Sequence, residues 1–226
     1  MKITTLKAIA LRSIKPGVFD AISPFGMAEA VMARYDFKKG PTADELARPE
    51  IDEVQFYFGR FGVGDLAIPI EQFSIRRAPD DLSIWIGAMT KTTTDASDEF
   101  LADVLGWAEQ QYQIDTSEVL PVRFQNQCEI VLVRPLSHWL ECVRPINEAL
   151  SGMLCSYGFG TLDFDVSSIK FRTDDTQPTS SYLNSEFKFE RRANRPYAES
   201  CYFSLAPLRT SDHEQLIALV ARLFAS

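Results

Sequence analysis

The chain has 226 residues, 46% apolar and 24% charged, with a formal charge of −8. That is enough for one large domain or two small ones. A net negative chain is repelled by phosphate backbones, so nucleic acid is not an expected partner. No apolar run approaches the roughly 18 residues that cross a bilayer. The opening MKITTLKAIALRSIK breaks its apolar positions with Lys7 and Arg12 and lacks the apolar core of a signal peptide. A cytoplasmic protein with no membrane partner is the expectation.

Residues 3–14 read as a first strand, with Ile3, Leu6, Ile9, Leu11 and Ile14 as its apolar positions. Ser23-Pro24 starts a helix, since Ser can accept from an N-terminal amide and Pro at the first position loses no needed donor. Phe25, Ala28, Met32 and Tyr35 recur on one face of that helix. Residues 40–50 are polar and read as a loop with room for one helical turn. Three strands follow: one through Val54, Phe56 and Phe58, one from Leu66 to Ile75 bent near Pro69, and one through Leu82, Ile84 and Ile86. Turn-rich joints make them an antiparallel meander. A helix from Ser97 to Tyr112 carries Phe100, Leu101, Val104, Leu105 and Ala108 at helical spacing.

The order then starts again. A strand covers 122–134, and a helical stretch covers 138–156, interrupted or kinked at Pro145. Strands follow at 162–173, 183–192 and 199–206, with a loop at 174–181. The last helix begins at Ser211 with a capping box to Glu214, and Leu216, Ile217, Leu219, Val220, Leu223 and Phe224 line it. Ile9–Phe37 lies on Ile130–Gly158 without a gap at a shift of 121. Phe73, Ile75 and Arg77 match Phe187, Phe189 and Arg191 at 114, and the two terminal helices match at 115. The expectation is an α+β protein of two related β-α-β-β-β-α halves, 1–115 and 122–226, forming one compact unit. Each half has an antiparallel sheet with its helices on one face. The halves join either edge to edge, as one continuous curved sheet, or face to face.

Motifs that carry chemistry are few. The four cysteines, Cys128, Cys142, Cys155 and Cys201, form no CxxC pair and read as buried free thiols. Cys155, at the C-terminal end of a helix, is read as core because that end disfavours a thiolate. His213 reads as a surface residue in a first helical turn. His138 and Cys142, four apart, could face one metal ion, but no second ligand pair accompanies them, so no metal is expected. Gly59, Gly62 and Gly64 lie between strands and lack the dinucleotide spacing. Asp80-Asp81 and Asp174-Asp175 read as turn residues, and Asp163 and Asp165 as solvated. No cofactor is implied.

The arginines stand apart. Arg76 and Arg77, and Arg191 and Arg192 with Arg195 nearby, end matching strands. Converging guanidinium groups hold carboxylate or phosphate in a bidentate way. Otherwise these are surface charges paired with acids. Without a catalytic constellation, the reading is a non-catalytic protein that binds another protein, inhibitor-like or immunity-like. The alternatives are a small-ligand carrier or sensor with an apolar or anion-binding cup, and an enzyme with a scattered site.

Overall fold

The computed structural model describes residues 1–14, 24–47, 53–62, 66–77, 84–113, 122–133, 144–157, 167–172, 186–196 and 199–223. In chain order the elements are β1 (Lys2–Ile14), α1 (Pro24–Arg34), α2 (Ala43–Leu46), β2 (Glu53–Phe61), β3 (Ile68–Arg77), β4 (Ile84–Thr90), α3 (Thr94–Tyr112), β5 (Arg123–Val131), α4 (Arg144–Ser156), β6 (Ser168–Arg172), β7 (Glu186–Arg191), β8 (Cys201–Ala206) and α5 (Thr210–Leu223).

The eight strands form a single sheet in the order β2-β3-β4-β1-β5-β8-β7-β6, and every pairing is antiparallel. This settles the question left open by the sequence: the halves meet edge to edge, through β1 and β5. The order is palindromic in topology, with β1, β4, β3 and β2 running outward on one side and β5, β8, β7 and β6 on the other.

Directly paired residues share a face of a sheet, so the registers sort the side chains. Ala10 opposite Ala88, Ile14 opposite Ile84 and Phe73 opposite Ala88 lie on one side. Continued across the join, the same side carries Cys128, Ile130, Tyr202 and Phe189. Here α1 and α3 close a core with Phe56, Phe73 and Phe100, and α5 closes a second one with Ile217 and Val220. On the other side Ile9 pairs with Met89, and Leu11 with Gly87. These residues are half-buried apart from Gly87, which is buried. A Cβ on Gly87 would meet Leu11 at 2.6 Å, so this glycine makes room for the leucine.

Caps explain several boundaries. Thr93 accepts from the Ala96 amide, so α3 starts three residues before the expected Ser97. The polar stretch after Gly40 does contain one turn, α2, closed by a capping box between Thr42 and Glu45. In the last helix the expected box at Ser211 is replaced by an earlier start, with the His213 amide donating to the Arg209 carbonyl at 2.9 Å. Pro145 is the second residue of α4, where a proline needs no partner for its nitrogen, so it breaks no hydrogen bond within Arg144–Ser156. The expected helical residues 138–143 lie outside the described residues.

The gapless echo does not survive as structural equivalence. A shift of 121 sets Ile9, on the half-buried side, onto Ile130, which is fully buried on the helix side. A slip of one residue in a strand reverses its faces. In the helices, a shift of 116 and not 115 matches the burial: Thr94 with Thr210, Ser97 with His213, Leu101 with Ile217 and Val104 with Val220 are all buried. Leu219 and Leu223, expected to line the apolar stripe of α5, are instead exposed.

Candidate functional site

The arginines do not converge. β3 and β7 are separated by β4, β1, β5 and β8, which at the usual strand spacing is about 24 Å across the sheet. The two strands run in opposite directions, so their arginine-bearing ends lie at opposite ends of the sheet. Neighbouring residues also point to opposite faces. Arg76 is opposite Trp85 on the half-buried side and Arg77 is opposite Ile84 on the helix side. Arg191 is opposite Tyr202 on the helix side, whereas Arg192 reaches Glu129 at 3.5 Å and lies over Phe203. Arg195 pairs with Glu199 at 3.3 Å. One small anion held by both pairs is therefore excluded by reach, and each arginine belongs to its local surroundings.

A different polar cluster, missed in the sequence, sits where the halves join. Thr94 and Thr210 begin α3 and α5 and exchange hydrogen bonds: each backbone amide donates to the other's Oγ1, both at 2.9 Å. Asn126 of β5 donates from Nδ2 to Thr210 Oγ1 at 3.0 Å. Its Oδ1 accepts from Cys128 Sγ at 2.8 Å and lies 2.7 Å from His213 Nδ1. His213 Nε2 lies 2.8 Å from Ser204 Oγ. A neutral imidazole with its proton on Nδ1 donates to Asn126 and offers Nε2 as an acceptor to the Ser204 hydroxyl, whose one proton is shared between it and the Lys188 carbonyl at 3.0 Å.

His213 is thus fully buried, not at the surface. Its position follows from Thr210, Ile217 and Val220, which lie three before, four after and seven after it on the buried face of α5. That spacing was readable in the sequence, but a polar residue in a first turn was read by its chemistry and not by its phase.

Cys128, Asn126 and His213 are residue types that serve nucleophilic catalysis, but this geometry does not suit it. Burial, then the charge of Glu214, pushes the Cys128 thiol up to about 11, against a smaller opposing hydrogen bond from Thr5. Burial pushes His213 down to about 4. The thiol is 3.8 Å from the imidazole, with the Asn126 oxygen in hydrogen-bond reach of both. A reactive thiolate needs a lowered pKa and access, and this cluster provides neither. It ties β5, β8, α3 and α5 together.

Cys201 is buried as expected, whereas Cys155, read as core, is exposed. The difference lies in α4, none of whose described side chains joins either core. Cys142 and His138 lie outside the described residues, as do Gly64, Asp80-Asp81, Asp163, Asp165, Asp174-Asp175 and the 174–181 loop. Among the described residues no group of three His, Cys, Asp or Glu side chains is placed to hold a metal ion. Nor is any helix among them long and apolar enough to cross a membrane.

The clearest surface feature is an imbalance between the halves. Among the described residues the first core has 18 buried members and the second has nine. Of the twelve exposed large apolar side chains among the described residues, nine lie from Val131 onward. They include Phe171 at 64% exposure, Ile146 and Met153 on α4, and Leu219 and Leu223 on α5. Charge is divided the other way: residues 1–121 hold 19 acidic against 12 basic side chains, and residues 122–226 hold 12 against 11.

No protein-family model matches the chain, and comparison with curated proteins finds no match.

Proposed function

We propose that this is a non-catalytic cytoplasmic protein that binds another protein through the apolar surface of its second half. The observation that carries the reading is the concentration there of exposed large apolar residues among the described residues. Apolar surface of this kind marks contact sites when it is contiguous and rimmed by polar groups. Phe171 is flanked along the edge strand β6 by Lys170 and Arg172, whose side chains point to the opposite face, where Glu186 pairs with both. The acidic first half supports steering toward a basic partner, because net charge raises encounter rates without touching the contact itself. An inhibitor-like or immunity-like role fits this division, with one half steering and the other anchoring.

The test is capture from the native host by the tagged full chain, beside Phe171→Glu and Leu219→Glu variants of confirmed fold. A partner held by the parent and lost from both variants supports the reading. A partner retained by both, or a bound small molecule seen by native mass spectrometry with no protein partner, overturns it.

A further inference from the structure

In the first half, α1 closes the outer part of the helix-side face. Met27, Ala28, Val31 and Tyr35 are buried in one cluster with Phe56 of β2 and Phe73 of β3. The Arg60 amide of β2 donates to the Tyr35 carbonyl at 2.7 Å, fixing the end of the helix to the outermost strand. By the palindromic strand order, β6 stands where β2 does, β7 where β3 does, and α4 occupies the place of α1 in the chain.

Among the described residues no helix joins the core at the corresponding place in the second half. Phe171 pairs with Phe187, so it points to the helix side, and the two rings are 5.9 Å apart. Phe187 is buried, yet Phe171 is 64% exposed. Meanwhile Ile146, Leu150 and Met153 of α4, and Tyr157 just past its end, recur at steps of four, three and four, which places them on one face. All four are exposed. Among the described residues, two exposed apolar surfaces thus belong to the elements whose counterparts in the other half cover one another.

We propose that α4 is a lid over β6 and β7, and that closure seats its apolar stripe on Ile169, Phe171 and Phe187. The occupant is α4 of the same chain, because the matching helix in the first half seats on its own sheet. As the element directly before β6, α4 also meets this face at intramolecular effective concentration. Closure covers part of the surface proposed above for a partner. That regulatory consequence rests on the binding reading, whereas closure itself is measured without any partner.

The experiment is binding of the apolar dye anilinonaphthalene sulfonate to the full chain and to the double variant Leu150→Asp/Met153→Asp, with sedimentation for mass and circular dichroism for fold. Each lost apolar side chain weakens closure on the order of tenfold. The variant therefore holds the lid open, and its dye fluorescence rises although two apolar residues are gone. Leu150→Ala/Met153→Ala moves the same way by less, which guards against a charge-induced folding defect. A fall or no change in dye binding overturns the lid. So does a dimeric parent that becomes monomeric in the variant, since the stripe would then cover a second copy. If the lid fails while Phe171→Glu still abolishes capture, the binding reading stands alone. If the dye result holds and capture is unaffected, the lid stands without that partner.

Discussion

Acid should unlock the join between the halves through His213. Its imidazole is fully buried between Asn126 and Ser204, and burial lowers its pKa from 6.5 to about 4. The unfolded chain takes up a proton near 6.5 that the folded chain refuses until near 4. Below 6.5 the unfolded state binds more protons, so unfolding free energy falls with falling pH. The contribution is complete above 6.5 and is lost as pH falls through 4. Its size is about 1.4 kcal/mol by about pH 5.5 and about 2.5 kcal/mol by about pH 4.5, from the linkage of those two pKa values. Many carboxylates titrate in the same range, so the parent is compared with His213→Gln, which keeps hydrogen-bonding capacity without a titrating ring. Urea unfolding from about pH 7.5 to about pH 4.5 gives the stability difference between the two. The parent's advantage should shrink, or the variant's deficit reverse, by those amounts. A difference constant across the range would show that His213 takes up its proton in the folded state and would refute the burial argument.

Two further changes test the packing. Thr94→Val and Thr210→Val should each cost about 1–3 kcal/mol by leaving buried donors unpaired. The double variant should cost less than the sum by about 1 kcal/mol, because the two side chains serve each other's helix; strict additivity in chemical unfolding would show that the exchange does not operate. Gly59→Ala places a Cβ 2.5 Å from the Phe37 ring and should cost about 1–3 kcal/mol by overpacking. Phe37→Leu should make the same glycine replacement milder, and an equal cost in both backgrounds would put the origin elsewhere.

Element types were legible wherever one periodicity ran long enough. The alternation around Val54–Phe58 and the helical spacing from Phe100 to Ala108 predicted β2 and α3, because a side chain's phase follows from local backbone geometry. The strand–helix order of each half was legible for the same reason, and the structure repeats it. The candidate site was not. Arginine pairs at matching strand ends invite a shared site in one dimension, but strand order and direction decide separation, and both are products of long-range pairing. The polar join of Thr94, Asn126, His213 and Ser204 draws on α3, β5, α5 and β8, so no local window contains it.

The sequence by itself determined which segments become strands and helices, and that the chain repeats one order of them. Only the tertiary structure decided that the halves share one sheet, that Ile9 and Ile130 face opposite ways, that His213 is interior and that Cys155 and the α4 stripe are not. Local periodicity specifies a phase within one element, whereas the buried side of that phase depends on the partner strand or helix that arrives against it.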